Sequence, residues 1–263
     1  MSTLVKSWSI APKAPLEHLR QYRGISPVLA QVLYQRGFVT PDEASRFLDS
    51  KDAVGSWVNL KGIHQAVGRL RAAIKKGEQI VVYGDFDADG VTATALLVQA
   101  LQALNANVKP YIPHRVDEGY GLNSQALRKL AHDGAKVVVT VDCGIRSVQE
   151  VEDGKAAGLD MIVTDHHSIG PDLPNALAVI NPKQVDCKYP EDMLAGVGLA
   201  YKLAEGLFQA TSQDRKTQQP TIGLDELLDL VAIGTVADIA PLNSIENRLL
   251  VRRGLAKINQ ARR

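Results

Sequence analysis

The chain reads as an α/β protein in which a mostly parallel β-sheet carries helices on both faces, preceded by a short helical extension. Three observations predict this. From Gly77 onward, short β-branched runs alternate with segments of helical period, the helical segments stop at glycines, and successive apolar runs end in an acid. Such alternation implies right-handed crossovers between parallel strands. The 263 residues are 45% hydrophobic, enough to bury the core of one large domain or of one domain with a small appendage.

In chain order, residues 1–60 form the helical extension. Ser26 to Gly37 places apolar residues at Val28, Leu29, Val32 and Leu33 and stops at glycine, and Thr40-Pro41-Asp42-Glu43 is a capping box with proline at the first helical position. Arg20, Arg23 and Arg36 are too scattered to argue a grip on nucleic acid, so this part is read as a packing appendage. Residues 61–240 form the α/β domain. A helix from Ile63 to Lys76 precedes a strand at Ile80 to Val82, and a helix running from Thr92 to Asn105 follows it. Then come a strand at Val108 to Ile112, a helix at Asn123 to Asp133, a strand at Val137 to Val141 and a helix at Ser147 to Ala157, the last with Ser147 and Glu150 as a capping box. Strands at Met161 to Val163 and Ala178 to Ile180 complete the sheet. Thr211 to Pro220 is polar and reads as a surface loop, Leu224 to Ile233 as an amphipathic helix, and Asn247 to Arg263 as the start of another helix, within a final stretch, 241–263, that begins a connection to a further domain.

The totals narrow the function. Lys and Arg number 30 against 29 Asp and Glu, so an anionic partner has to be drawn by a local patch and not by a global field. Cys143 and Cys187 follow no metal-ligand spacing, and no secretory leader is apparent, which together suit a reducing cytoplasm. No apolar run reaches the roughly 18 residues that a membrane span needs.

The chemistry collects where strands end. In Gln79 to Leu97, QIVVYGDFDADGVTATALL, the carboxylates of Asp85, Asp87 and Asp89 alternate and, if extended, point the same way, an arrangement whose repulsion cations would relieve. An EF-hand would need Glu where Leu96 stands and a preceding helix, and a P-loop would need Gly-Lys-Ser/Thr. For Asp89, capping the following helix is a reading as good as ligation. Further acids end the later strands: Asp142, then Asp165 with His166 and His167. Parallel sheets bind ligands beyond the carboxyl ends of their strands, so these residues are read together, with Asp238 of GTVADIAPL. Oxygen donors with a histidine suit Mn²⁺ or Mg²⁺ better than a structural zinc, and a pair of such ions can activate water at a phosphoryl group. Neighbouring side chains diverge, which assigns His166 to metal and His167 to substrate phosphate or a second ion.

The segments VVYGDFDADG, VTVDCG, VTDHH and GTVADIAPL are similar in order and spacing to the four motifs of the DHH phosphoesterase superfamily, and PHRVDEGYGL and LAGVGLAYKL resemble its RecJ-like branch. The resemblance spans about Ile63 to Leu250. It implies a Mn²⁺- or Mg²⁺-dependent exonuclease acting on single-stranded DNA from the 5′ end in recombination and repair, with Asp85, Asp87, Asp142, His166 and Asp238 as metal ligands, His167 near the scissile phosphate, and other repair proteins as possible partners. It also implies a chain that continues into a second domain and an oligonucleotide-binding barrel. Within the RecJ-like loop, Arg115 offers a fork for phosphate and Tyr120 a ring for base stacking. Tyr83 departs from the pattern, standing where many relatives carry histidine. The same metal chemistry would also serve a phosphodiesterase of short oligonucleotides or cyclic dinucleotides, or a pyrophosphatase. A non-catalytic replication scaffold is the reading from another class.

Overall fold

A computed structural model describes residues 8–49, 55–114, 119, 121–213 and 219–260. The chain divides into two compact units, Met1–Ala53 and Val54–Arg263.

The first unit holds α1 (Leu16–Leu19), α2 (Pro27–Gln35) and α3 (Pro41–Asp49) around Tyr22, Ala30, Leu33, Ala44 and Phe47. Its local signals work as read. Ser26 accepts from the Leu29 amide, and Thr40 and Glu43 exchange side-chain-to-backbone bonds at 3.2 and 3.0 Å.

The second unit is a five-stranded, all-parallel sheet in the order β2-β1-β3-β4-β5, where β1 is Gln79–Gly84, β2 Val108–Tyr111, β3 Ala135–Val141, β4 Asp160–Thr164 and β5 Ala178–Ile180. Alternate strand residues feed two cores. Ile80, Val82, Val137, Val139 and Ile162 face one, with α4 (Ile63–Lys76), α5 (Ala88–Ala103), α8 (Gly196–Ser212), α9 (Leu228–Ala237) and α10 (Ile245–Ile258). Val81, Tyr83, Val138, Met161 and Val163 face the other, with α6 (Ser124–His132) and α7 (Val148–Ala156). Helices therefore cover both faces, as period-two strands buried on both sides require. The sheet order reverses between β1 and β3, and a ligand site is expected beyond their carboxyl ends.

Several expectations change. The helix after β1 begins at Ala88, four residues before Thr92, because Asp87 accepts from the Gly90 amide at 2.9 Å and caps it. Asp89 consequently lies inside the helix, and the three acids do not alternate along one extended segment. Ser147 precedes α7 but makes no side-chain cap bond, so that capping box does not form. The helix expected from Leu224 to Ile233 is a 3₁₀ turn, Leu224–Leu227, followed by α9, which is apolar nearly all round. Thr211 and Ser212 belong to α8, leaving a shorter connection. No helix among the described residues is long and apolar enough to cross a membrane.

Candidate metal centre at the carboxyl end of the sheet

Three helices and two strand ends converge on His166. Its Nε2 lies 3.1 Å from Asp142 Oδ1, 3.8 Å from Asp89 Oδ2 and 4.0 Å from Asp238 Oδ2. Among the described residues, two sets of three have ligand atoms all within 4.8 Å of one another: Asp89, His166 and Asp238, and Asp142, His166 and His167. His166 belongs to both.

Each group is brought in by a specific backbone feature. Asp142 follows β3 in the left-handed region at φ +62, a conformation that turns its carboxylate off the strand line, and its amide continues the ladder to the Thr164 carbonyl at 3.1 Å. Asp89 is 1% exposed in the first turn of α5, where Oδ2 accepts from the Gly196 amide at 2.6 Å and Oδ1 from the Val197 amide at 2.9 Å. Those amides open α8, so the positive end of a 17-residue helix holds this carboxylate. Asp238 caps the carboxyl end of α9. Two glycines permit the convergence. A β-carbon at Gly196 would stand 2.6 Å from Asp142 Cβ and Oδ1, and one at Gly234 would stand 2.3 Å from Thr92 Oγ1 and 2.8 Å from Asp89 Oδ1.

The two histidines differ in exposure and partners, although their ring centroids lie only 4.4 Å apart. The His166 side chain is 14% exposed and faces the acids, whereas that of His167 is 55% exposed and is held by Asp165, whose Oδ1 lies 2.7 Å from Nδ1 and accepts the His167 amide at 3.0 Å. Asp165 Oδ2 accepts the Ile145 amide at 2.9 Å, so this acid is spent on orienting His167.

The electrostatics follow from crowding in a buried place. Burial first, and then the neighbouring Asp142, raises Asp89 to about 7, and burial together with Asp87 raises Asp142 to about 8. Burial lowers His166, favouring the neutral ring, while the hydrogen bond to Asp165 raises His167 to about 9. Burial alone would raise Asp165, yet the hydrogen bonds from His167 and Ile145 hold it below the ordinary carboxylate value.

The set fits a divalent cation. Asp142 Oδ1 and His166 Nε2 are buried and close together, but neither makes a hydrogen bond, a costly state for two acceptors unless a cation lies between them. The donors are carboxylate oxygens and an imidazole nitrogen, the set that suits Mn²⁺ or Mg²⁺. Cys143 is no competitor: its thiol is buried and pushed well up, so it stays protonated.

The structure thus gathers Asp142, His166 and Asp238, with His167 beside them. Asp85 and Asp87 fall outside both close sets: Asp85 bonds the adjacent Phe86 amide at 2.7 Å, and Asp87 caps α5 while its charge still acts on Asp142. Asp89, given equal weight as a cap in the sequence, is the acid of that run that meets His166. Arg115 and Tyr120 lie outside the described residues. Tyr83 is fully buried and donates to the Gly121 carbonyl at 3.1 Å, a packing use of the position where many relatives carry histidine.

Residues 79–235 match the model of the DHH family, N-terminal domain. Over 249 residues the chain is 44% identical to the single-stranded-DNA-specific exonuclease RecJ of Bacillus subtilis, covering 94% of this chain and 30% of that protein. It is 40% identical to the enzyme of the same name in Escherichia coli, covering 89% of this chain and 41% of the relative. The chain therefore spans well under half the length of these curated relatives. A crystal structure of RecJ with Mn²⁺ from Thermus thermophilus superposes with a TM-score of 0.75 at 33% identity, over 94% of this chain and 34% of that one.

Proposed function

This chain belongs to the DHH family, and on that footing we propose that it carries the catalytic centre of a metal-dependent exonuclease that hydrolyses phosphodiester bonds of single-stranded DNA from the 5′ end, in recombination and repair. The observation that carries the reading is the buried, unpartnered pair of Asp142 Oδ1 and His166 Nε2, 3.1 Å apart within a ring of further acids. Relatives at 36–44% identity over most of the chain bear the name of a single-stranded-DNA-specific exonuclease, and related structures were solved with Mn²⁺ and with Mg²⁺. These are the cations we assign, as a pair of ions. The short-oligonucleotide, pyrophosphatase and scaffold readings find no comparable support.

When bound, a divalent cation supplies Lewis-acid activation of water and neutralises charge gathering on a phosphoryl group. Asp89, Asp142, His166 and Asp238 are the residues we assign to hold it, with Asp85 and Asp87 contributing charge from the rim. Burial favours the neutral ring of His166, whose Nε2 would serve as a ligand atom, and the α8 amides keep Asp89 turned inward. His167 takes a different part. With Nδ1 beside Asp165, a hydrogen bond that raises its affinity for a proton, His167 turns Nε2 to the site, where that atom would offer a proton to a phosphate oxygen or a leaving oxygen. No side-chain nucleophile is required. We place this work in residues 61–240, with 1–60 as a helical extension, 241–263 leading towards a further domain, Arg115 and Tyr120 contacting the strand, and the cytoplasm as the setting.

The test is Mn²⁺-dependent release of nucleotides from 5′-labelled single-stranded DNA, with Asp142→Ala and a duplex substrate as controls and calorimetric Mn²⁺ binding on the same samples. Release from single strands that is lost in Asp142→Ala supports the proposal. Mn²⁺ binding without release assigns substrate capture to regions beyond this chain, and no Mn²⁺ binding overturns the cation site.

A further inference from the structure

Consecutive side chains normally diverge to opposite sides of an extended segment, but His166 and His167 lie beyond the end of β4, where the sheet no longer fixes the backbone, and their ring centroids stay 4.4 Å apart. The last paired residues of β4 and β5 are Thr164 and Ile180, and the Asp165 amide to the Ile180 carbonyl at 3.0 Å is the final bond of that ladder. Beyond Asp165, the carbonyls of His166, His167 and Ser168 need donors from elsewhere. Each receives a side chain. Lys183 Nζ donates to the His166 carbonyl at 2.5 Å, Asn181 Nδ2 to the His167 carbonyl at 3.0 Å, and Arg146 Nε to the Ser168 carbonyl at 2.8 Å.

These donors come from both flanks. Arg146 belongs to the turn after β3, and Asn181 and Lys183 to the turn after β5, so the segment that carries the histidines is held between its two neighbours in the sheet. The arrangement on the β5 side is built and not casual. Asn181 is fully buried, and its Oδ1 accepts the Lys183 amide at 2.9 Å, so one amide group sets both the His167 carbonyl and the start of the lysine. Gln184 Nε2 in turn bonds the carbonyls of Val179 and Asn181 at 2.8 and 3.2 Å. Neither Lys183 nor Arg146 forms an ion pair among the described residues.

We infer that Lys183, Asn181 and Arg146 are positioning residues that clamp the backbone of His166, His167 and Ser168, and that Lys183 in particular keeps His166 Nε2 aimed at the acids before any cation arrives. The inference rests on the proposed cation site for its consequence and on the metal-free geometry for its substance. It has a sign that charge alone lacks. Removing a lysine beside an acidic cation site should strengthen cation binding by relieving repulsion, whereas losing a clamp should weaken it.

The experiment compares the 263-residue chain with Lys183→Met and with Lys188→Met, which removes an exposed charge from the same turn. Histidine imidazole resonances are recorded by NMR in the metal-free proteins, Mn²⁺ affinity is measured by calorimetry, and urea midpoints check the fold. Lys183→Met is expected to shift the His166 resonances and to weaken Mn²⁺ binding about tenfold, while Lys188→Met does neither. Arg146→Met, at an exposed position, is expected to move the His167 resonances instead. Unmoved His166 resonances with equal or tighter Mn²⁺ binding in Lys183→Met overturn the clamp. If the unaltered chain binds no Mn²⁺, the cation site fails by itself, and the metal-free resonances still decide the positioning role.

Discussion

Gly196→Ala is the substitution that tests the packing of the centre most directly. The added β-carbon would lie 2.6 Å from Asp142 Cβ and Oδ1 and 2.8 Å from Cγ. Ordinary carbon contacts fall at roughly 3.5–4 Å, so about 1 Å of movement is needed. Either Asp142 swings out of the site or the start of α8 withdraws from Asp89, and the bonds from Gly196 and Val197 begin at 2.6 and 2.9 Å, with little room to stretch. Overpacking costs about 1–3 kcal/mol, and a weakened hydrogen bond to a charged group about 1.5–3 kcal/mol if lost, so a destabilisation of about 2–4 kcal/mol is expected. Gly198→Ala, two residues along the same helix, is the internal contrast. Its β-carbon would meet Leu194 at 3.4 Å, an ordinary contact, and replacing a helical glycine by alanine gains about 0.5–1 kcal/mol. Urea unfolding of the metal-free chains should therefore move in opposite directions, and calorimetry should show Mn²⁺ affinity about 10–100-fold weaker in Gly196→Ala alone. Equal stability and equal Mn²⁺ affinity in the two variants would refute the account of how α8 sets the site.

Other consequences are as open to measurement. Asp89→Asn should weaken Mn²⁺ binding more than Asp85→Asn, because Asp89 stands 3.8 Å from His166 Nε2 while Asp85 is outside both close sets; calorimetry that ranks them the other way restores Asp85 to the inner position. In metal-free protein, Asp89 and Asp142 have values near 7 and 8, above the unfolded carboxylate range, and His167 sits near 9, above free histidine, so the stability they add is present at low pH and lost as pH rises through those values. The two acids begin to lose that stability above the free carboxylate value of about 4, and lowered His166 offsets only part of the loss below about 6.5, so the net fall in melting temperature runs from about pH 4 to 9. Saturating Mn²⁺ should flatten that slope, and a melting temperature that climbs with pH in EDTA would contradict the assignment. Lys202 is fully buried, with Nζ 2.9 Å from Glu246 and 3.2 Å from Glu205, and Tyr189 also donates to Glu246. Lys202→Met leaves Glu246 uncompensated and should cost about 3–5 kcal/mol in urea unfolding, without a matching change in Mn²⁺ affinity per folded molecule.

The sheet was legible because its strands are β-branched runs and its helices stop at glycines: α4 ends at Gly77 and α6 at Gly134, both at positive φ. What escaped has physical reasons. The helix α8 has a narrow polar stripe at Lys202, Glu205, Gln209 and Ser212, but its first turn, GVGL, is small and apolar, and the carboxylate that turn grips could not be told from a cap. Asp85 and Asp87 were read as ligands and Asp89 as equally a cap, but the early start of α5 at Ala88 makes Asp87 the cap and brings Asp89 to His166. Asp165 stood at a strand end like Asp142, but its work on His167 depends on the Ile145 amide and on the turn after β4. Adjacency was read as keeping the two histidines from sharing an ion, but beyond the end of β4 their rings lie 4.4 Å apart and both fall in one close set with Asp142.

The grip of the α8 amides on Asp89 also sets an order of assembly. Partners in those two bonds are 107 and 108 residues apart in the chain, a loop whose closure carries a large entropic cost and belongs to the slow, non-local part of folding. During synthesis the acids of α5 and β3 emerge long before the residues that lock them. A nascent chain that has reached β5 lacks the residues that hold Asp89 and the acid Asp238, so the proposed cation site is complete only once α8 and α9 have docked.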